Sequence, residues 1–244
     1  MCRMFSLSGD FSNEYRKIMT SFLDITRHDP LSTNSDGSFT SHDHGYGYVH
    51  YDNSSLEFFR SKTPVFESLI PDFTSGQFIM HARKAAPGEP IGTLESHPHY
   101  EVDEDYEVFL AHNGWFDKKA IAMELGINNY GRYVDSQLFL KYVISFDGEF
   151  RNRLERALSF AKEKELIKST ANLMILSIDR NTRESRLYYY TDVKEGREYG
   201  DYVRLYHGKT DRWNGVFSSS IIQSDFFPKN VSTEEVKRGV VNEL

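Results

Sequence analysis

A cysteine at the second position is the residue of this sequence best suited to act as a nucleophile. Cys2 is the only cysteine among 244 residues, and removal of Met1 would leave it with a free α-amino group beside its thiol. An unperturbed α-amine has a pKa of about 8, which is close to what a base needs in order to accept a thiol proton at neutral pH. One residue could therefore supply both the nucleophile and the base for acyl transfer.

Four other residues have side chains or backbone groups suited to binding a small zwitterionic amide. The guanidinium group of Arg83 can hold a carboxylate in a bidentate pair, and the carboxylate of Asp135 can hold an ammonium group. The side-chain amide of Asn113 and the backbone N–H of Gly114 can donate to a developing oxyanion. Each residue also has a structural alternative, because such residues commonly serve as solvated strand ends, helix caps or tight turns.

The segments around these residues resemble the class II glutamine amidotransferases, which are N-terminal nucleophile hydrolases. The resemblance is carried by four segments, namely 1–5 (MCRMF), 81–86 (HARKAA), 112–114 (HNG) and 135–137 (DSQ). Two further segments, 42–47 (HDHGYG) and 96–99 (SHPH), are similar to the family's His-x-Asp-Gly-Trp-Gly and Asn-x-His-Pro segments. Recognisable motifs run from Cys2 to about Val143, and a weaker likeness continues to Ser220.

This resemblance implies a fold, a reaction and a set of residue roles. The fold is of the α+β class, a four-layer αββα sandwich of two antiparallel sheets flanked by helices, formed by a single domain over residues 1–244 with Cys2 at the edge of one sheet. The reaction is hydrolysis of the glutamine side-chain amide through a γ-glutamyl thioester on Cys2, and it requires no cofactor and no metal. Asn113 and Gly114 take part in catalysis with Cys2, and Arg83 and Asp135 bind the substrate.

The sequence departs from the family pattern near the expected substrate pocket. Ala86 stands where the family commonly has Thr, Gln137 where it has Glu, and His44 and Tyr46 where it has Asp and Trp. None of these changes removes the nucleophile or the oxyanion donors. They indicate a shifted substrate, such as another γ-glutamyl compound. A separate acceptor-bearing subunit and a stand-alone amidase are both compatible with the sequence.

Two alternatives of other kinds remain open. A non-catalytic regulatory module of the same fold would retain Met1, which blocks the α-amine. A zinc site would use paired histidines with acidic neighbours, and solvated loop histidines are the simpler explanation. The residues of such a site would be His42, His44, His97, His99, Asp43, Glu95 and Glu101.

Hydrophobic periodicity predicts the elements that must position these residues. A repeat at i, i+3 and i+4 from Tyr15 to Leu23 predicts a helix, whereas the stretch 30–44 is predicted to be a mobile loop and 87–105 to be irregular. Further helices are predicted at 117–125, 134–146 and 150–161. Strands are predicted at 2–8, 46–51, 77–83, 106–112, 173–178, 186–191, 202–207 and 216–222. Helices clustered between groups of strands favour antiparallel sheets covered by helices.

Composition excludes several classes of protein. The formal net charge is −7 and 39% of residues are hydrophobic, which argues for a globular core and against a nucleic-acid partner. The longest apolar stretch, around Leu173 to Leu176, is far shorter than the roughly 20 residues of a membrane span. Charged residues near the N-terminus leave no apolar signal region. We therefore expect a cytoplasmic protein that acts on a small-molecule substrate.

Overall fold

A computed structural model describes residues 2–34, 36–196 and 200–244. Its strands are β1 (Arg3–Asp10), β2 (Asp29–Thr33), β3 (Phe39–Thr40), β4 (Tyr46–Tyr51), β5 (Leu56–Ser61), β6 (Ser75–Ala82), β7 (His99–Val102), β8 (Tyr106–Phe116), β9 (Ile167–Asp179), β10 (Ser185–Tyr190), β11 (Leu205–Lys209), β12 (Trp213–Ser218), β13 (Ser232–Glu235) and β14 (Asn242–Glu243). Its α-helices are α1 (Tyr15–Arg27), α2 (Lys118–Glu124), α3 (Asp135–Ile144), α4 (Phe150–Glu163) and α5 (Ser219–Gln223), and short 3₁₀ turns lie at Val65–Glu67, Tyr130–Arg132 and Asp201–Val203.

The described residues form two compact units. The first contains residues 2–98 and 200–237 with Leu244, and the second contains residues 99–196 and 238–243. No helix within the described ranges is both long and apolar enough to cross a membrane.

A seven-stranded antiparallel sheet is the centre of the first unit. Its strand order is β13-β11-β12-β1-β6-β4-β5, so β1 is an interior strand with hydrogen-bonded neighbours on both sides. Arg3 faces Ala82 of β6, and Phe5 faces Phe217 of β12. Cys2 therefore lies where an interior strand begins, at an end of the sheet and not on an outer strand.

Helix α1 covers one face of this sheet. The apolar spacing predicted from Tyr15 to Leu23 is confirmed, since Ile18 and Phe22 are fully buried. The ring of Phe22 packs edge-on against Phe5 with the ring centroids 5.1 Å apart. Burial of such aromatic side chains is worth about 1.5–3 kcal/mol each, which fixes β1 against the helix and holds the position of Cys2.

The second unit contains a five-stranded antiparallel sheet of order β14-β10-β9-β8-β7. Its two long central strands, β8 and β9, pair from Tyr106 opposite Asp179 to Gly114 opposite Ala171. Helices α3 and α4 supply the apolar side chains that cover one face. Phe139 of α3 stacks on Phe116 at 4.3 Å between ring centroids. This packing anchors the end of β8, where Asn113 and Gly114 lie.

Three predicted segments differ from the observed secondary structure. The stretch 30–44 includes the small β2–β3 hairpin, and the stretch 87–105 includes β7. The strand expected over 216–222 ends at Ser218, where helix α5 begins. These elements are only two to five residues long, so local periodicity carries little information about them.

Candidate active site

The thiol of Cys2 is buried at the start of β1. Its side chain is 8% exposed, and its Sγ accepts a hydrogen bond from the backbone N–H of Lys84 at 3.4 Å. Lys84 lies two residues beyond Ala82, the residue opposite Arg3 in the adjacent strand. The pairing of β1 with β6 thus brings residues 82 positions apart into contact.

Burial raises the pKa of the Cys2 thiol above its usual range. The Lys84 N–H and the positive charge of Arg83 act in the opposite direction and favour the thiolate, but burial outweighs them. A buried thiol with a raised pKa is predominantly protonated at neutral pH. Nucleophilic attack therefore requires a base that removes its proton.

Arg83 follows β6 and is almost entirely buried. Its side chain is 4% exposed, which excludes the solvated strand end considered from the sequence. Nη1 donates to the carbonyl of Pro90 at 2.8 Å, and Nη2 donates to Oε2 of Glu89 at 3.3 Å. The guanidinium group is thus held by the loop that follows it.

The segment 42–47 is fixed against the same loop. His44 accepts a hydrogen bond from the backbone N–H of Ala85 at its Nδ1, at 3.0 Å, and Lys84 Nζ pairs with Asp43 at 3.1 Å. A Cβ atom added at Gly47 would lie 2.4 Å from the carbonyl oxygen of His97, so only glycine fits there. His44, which departs from the family pattern, orients the loop after Arg83.

A buried charged cluster anchors the residue next to the nucleophile. Arg3 Nε donates to the carboxylate of Asp29, and the same carboxylate oxygen lies 2.9 Å from Nε2 of His42. Arg3 Nη1 also donates to the carbonyl of Tyr202 at 2.7 Å, and Ser220 Oγ lies 3.4 Å from Asp29. The side chains of Arg3, Asp29 and His42 are fully buried.

Burial dominates the titration of His42. It lowers the pKa of this histidine to about 4, although the hydrogen bond to Asp29 acts in the opposite direction. Burial would raise the pKa of Asp29, but the His42 hydrogen bond and the Arg3 charge outweigh it and the pKa is lowered. At neutral pH the cluster therefore contains neutral His42, the Asp29 carboxylate and the Arg3 cation.

The sequence interpretation missed this cluster. Arg3 appears there only within a motif segment, His42 only within another and as a candidate ligand of the zinc alternative, and Asp29 is not singled out. The unusual burial of three titratable side chains could not be inferred from local pattern, because Arg3 and Asp29 are 26 residues apart. The available signal in the sequence is an arginine directly before the apolar residues Met4 and Phe5.

In the second unit, Asn113 and Gly114 lie near the end of β8. Asn113 is 1% exposed, and its carbonyl oxygen accepts a hydrogen bond from Thr170 Oγ1 at 3.0 Å. A Cβ atom added at Gly114 would lie 1.8 Å from the carbonyl oxygen of Thr170. The Asn-Gly pair therefore belongs to a strand in close contact with β9 and is not the tight turn considered from the sequence.

Asp135 begins helix α3 and contacts the end of β8. Its Oδ2 accepts the backbone N–H of Phe116 at 2.7 Å, and Ser136 Oγ donates to its Oδ1 at 3.3 Å. Gln137 accepts the backbone N–H of Val134 at 3.0 Å, a capping contact that glutamate could also make. The substitution at 137 therefore preserves the helix start.

The structure brings the sequence-predicted residues together in two groups. Cys2 and Arg83 lie at one end of the sheet of the first unit. Asn113, Gly114 and Asp135 lie around the end of β8 in the second unit. Within the described ranges no three or more His, Cys, Asp or Glu side chains are grouped as a metal site, so the zinc alternative has no supporting geometry there. Met1, whose removal the sequence interpretation requires, lies outside the described residues.

Solved structures share this architecture. The allosteric regulatory enzyme of purine biosynthesis matches 99% of the chain with a TM-score of 0.67 at 15% identity, and the chain covers 46% of that protein. Glutamine phosphoribosylpyrophosphate (PRPP) amidotransferase from B. subtilis matches 100% of the chain with a TM-score of 0.64 at 15% identity, with 49% of that protein covered. The chain thus spans about half the length of these two proteins.

A predicted glutamine amidotransferase from Pseudomonas aeruginosa PA01 also aligns, with a TM-score of 0.47 at 13% identity over 100% of this chain and 93% of that one. No protein-family model matches the chain, and no curated protein matches it. At these identities the likeness concerns the fold alone. The chain shares the fold of the first two of these proteins, and the α+β class with antiparallel sheets and flanking helices expected from the sequence is confirmed.

Proposed function

We propose that this chain is an N-terminal cysteine amidohydrolase that cleaves the side-chain amide of glutamine to glutamate and ammonia. The observation that carries the proposal is a contact at the start of β1. There the buried Cys2 thiol accepts a hydrogen bond from the backbone N–H of Lys84, the residue directly after Arg83. A nucleophile and a carboxylate-binding cation are thereby fixed to adjacent strands. The fold shared with glutamine PRPP amidotransferase supports the same class of reaction.

The chemistry begins with loss of Met1. The freed α-amine of Cys2 takes the thiol proton, and the thiolate attacks the amide carbon of glutamine. The side chain of Asn113 and the N–H of Gly114 donate to the oxyanion of the tetrahedral intermediate. Collapse breaks the C–N bond, the ammonium proton of the α-amine passes to the leaving nitrogen, and ammonia departs. Water then hydrolyses the γ-glutamyl thioester and regenerates the thiol.

Substrate binding is assigned to two charged residues. Arg83 pairs with the α-carboxylate of glutamine, because a planar guanidinium matches the two carboxylate oxygens. Asp135 pairs with the α-ammonium group. Binding energy from these remote groups places the amide for attack, so their loss weakens both binding and alignment.

We take residues 1–244 to form one glutamine amidotransferase-like domain. Ammonia released here would either leave as product or pass to an acceptor held by a separate subunit. Another γ-glutamyl compound is a second candidate substrate. The observation that favours it is Ala86, whose side chain supplies no hydroxyl and whose backbone N–H is already bonded to Glu89 at 3.0 Å.

Release of ammonia and glutamate from glutamine and from several γ-glutamyl amides tests this proposal. Purified protein with Met1 removed should hydrolyse at least one of them, and Cys2→Ala should show no turnover while keeping its fold. Turnover by Cys2→Ala at the rate of the unaltered protein would refute the assignment of the nucleophile. Failure of the processed protein to hydrolyse any of these compounds would refute the amidohydrolase assignment.

A further inference from the structure

The guanidinium group assigned to the substrate carboxylate already holds a carboxylate of this chain. Arg83 Nη2 lies 3.3 Å from Oε2 of Glu89, and Nη1 donates to the Pro90 carbonyl at 2.8 Å. The Arg83 side chain is 4% exposed, whereas that of Glu89 is 45% exposed. The cation is therefore fixed in the protein, and its anionic partner lies at the surface.

The loop shape holds Glu89 toward Arg83. The backbone N–H of Glu89 donates to the carbonyl of Ala86 at 3.1 Å, and the backbone N–H of Ala86 donates to Oε2 of Glu89 at 3.0 Å. Gly88, between them, has a φ of +85°, a backbone conformation that glycine adopts without strain. A closed turn thus positions the Glu89 carboxylate at the guanidinium group.

We propose that Glu89 is a specificity-determining residue whose carboxylate competes with the α-carboxylate of the substrate for Arg83. The inference rests on the proposed function for the identity of the ligand. A substrate must displace Glu89 before it can pair with Arg83. The affinity of glutamine-like ligands therefore depends on this exchange, whereas the affinity of ligands without a carboxylate does not.

Electrostatics favour such an exchange. Two carboxylates bound to one guanidinium group would repel each other, and Nη1 already donates to the Pro90 carbonyl. Because Glu89 is half exposed, its displaced carboxylate can be solvated by water. Ion pairs with an exposed partner are weak, and apparent affinity falls with the fraction of protein competent to bind. We therefore expect competition to reduce affinity by about three- to tenfold.

Binding of L-glutamate to catalytically inert protein tests the inference without requiring turnover. Calorimetry should be carried out on Cys2→Ala protein and on the same protein carrying either Glu89→Gln or Glu95→Gln. Gln keeps an acceptor for the Ala86 N–H but removes the competing charge. Glu95 provides a matched control, because it belongs to the same segment and no contact joins it to Arg83 in the structure.

Glu89→Gln should bind L-glutamate about three- to tenfold more tightly than the parent, and Glu95→Gln should bind like the parent. 4-Aminobutanamide, which lacks the α-carboxylate, should bind the parent and the Glu89→Gln protein equally. Unchanged or weaker glutamate binding by Glu89→Gln would overturn the inference. An equal gain for 4-aminobutanamide, or no glutamate binding by any of the proteins, would also overturn it.

The outcome can be separated from that of the proposed function. Tighter glutamate binding by Glu89→Gln, without turnover of glutamine or of any tested γ-glutamyl amide by the Cys2 protein, would support competition at Arg83 and reject the amidohydrolase. Glutamine turnover without tighter binding would support the amidohydrolase and reject the role of Glu89.

Discussion

The backbone N–H of Lys84 donates to Sγ of Cys2 at 3.4 Å. This bond connects the residue after Arg83 to the start of the neighbouring strand, so displacement of the loop and the state of the thiol are physically linked. It also stabilises negative charge on sulfur, since a donor favours the thiolate. Binding at Arg83 and chemistry at Cys2 should nevertheless be separable by kinetics.

Arg83→Lys should chiefly raise the KM for glutamine. Lysine keeps the charge but loses the planar fork that pairs with a carboxylate, and we expect a rise of about tenfold or more with a smaller fall in kcat. Steady-state kinetics measure both. The same variant should leave the KM for 4-aminobutanamide unchanged, and an equal rise for that amide would show that Arg83 does not bind the carboxylate.

Asn113→Ala should instead lower kcat by about 10²-fold with little change in KM. The lost N–H donor stabilises negative charge that develops on the amide oxygen of the substrate in the transition state. Asn113→Asp preserves the size of the side chain but removes the amide donors, so its kcat should fall at least as far. A change confined to KM in both variants would contradict the oxyanion role.

Gly114→Ala should destabilise the fold. The added methyl group would lie 1.8 Å from the Thr170 carbonyl oxygen, so the paired strands must move apart at a cost of about 1–3 kcal/mol. Gly131→Ala is the matched control, because no atom lies within 4 Å of its added Cβ. Urea unfolding of both variants measures the free energies. Equal stability of the two variants would show that β8 and β9 are not paired this closely.

Stability should fall on acidification because His42 is buried in its neutral form. Its pKa is about 4 in the folded protein, against 6.5 ordinarily, so between these values the unfolded chain binds a proton that the native protein does not. This removes up to about 3 kcal/mol of folding free energy as the pH falls from about 6.5 to about 4. Below that window the lowered pKa of Asp29 acts in the same direction.

Urea unfolding at several pH values checks this expectation against His42→Gln. Glutamine retains an N–H donor for Asp29 but does not titrate. The free energy of unfolding of the variant should therefore depend less on pH between about 4 and 6.5 than that of the unaltered protein. Parallel pH profiles would contradict the buried neutral state of His42.

The amino-acid sequence predicts secondary structure best where hydrophobic spacing extends over a whole element. The apolar spacing predicts α1 well, because this helix buries a continuous face, and the strand predicted at 46–51 coincides with β4. Arg83 was predicted at a strand end, but its burial and its pairing with Glu89 depend on how the following loop closes. Asp29 could not be predicted as a partner of Arg3, since Asp29 lies in β2, which belongs to a separate two-stranded sheet, and only the tertiary fold brings the two side chains together.

The central claim is that Cys2 carries the glutamyl group during turnover. Acid-quenched mass spectrometry during reaction with glutamine tests it most directly. The predicted result is an N-terminal peptide that lacks Met1 and has gained one glutamyl group on Cys2, with no such adduct in Cys2→Ala. Ammonia release by a protein that retains Met1 throughout, or a glutamyl group on another residue, would contradict the account.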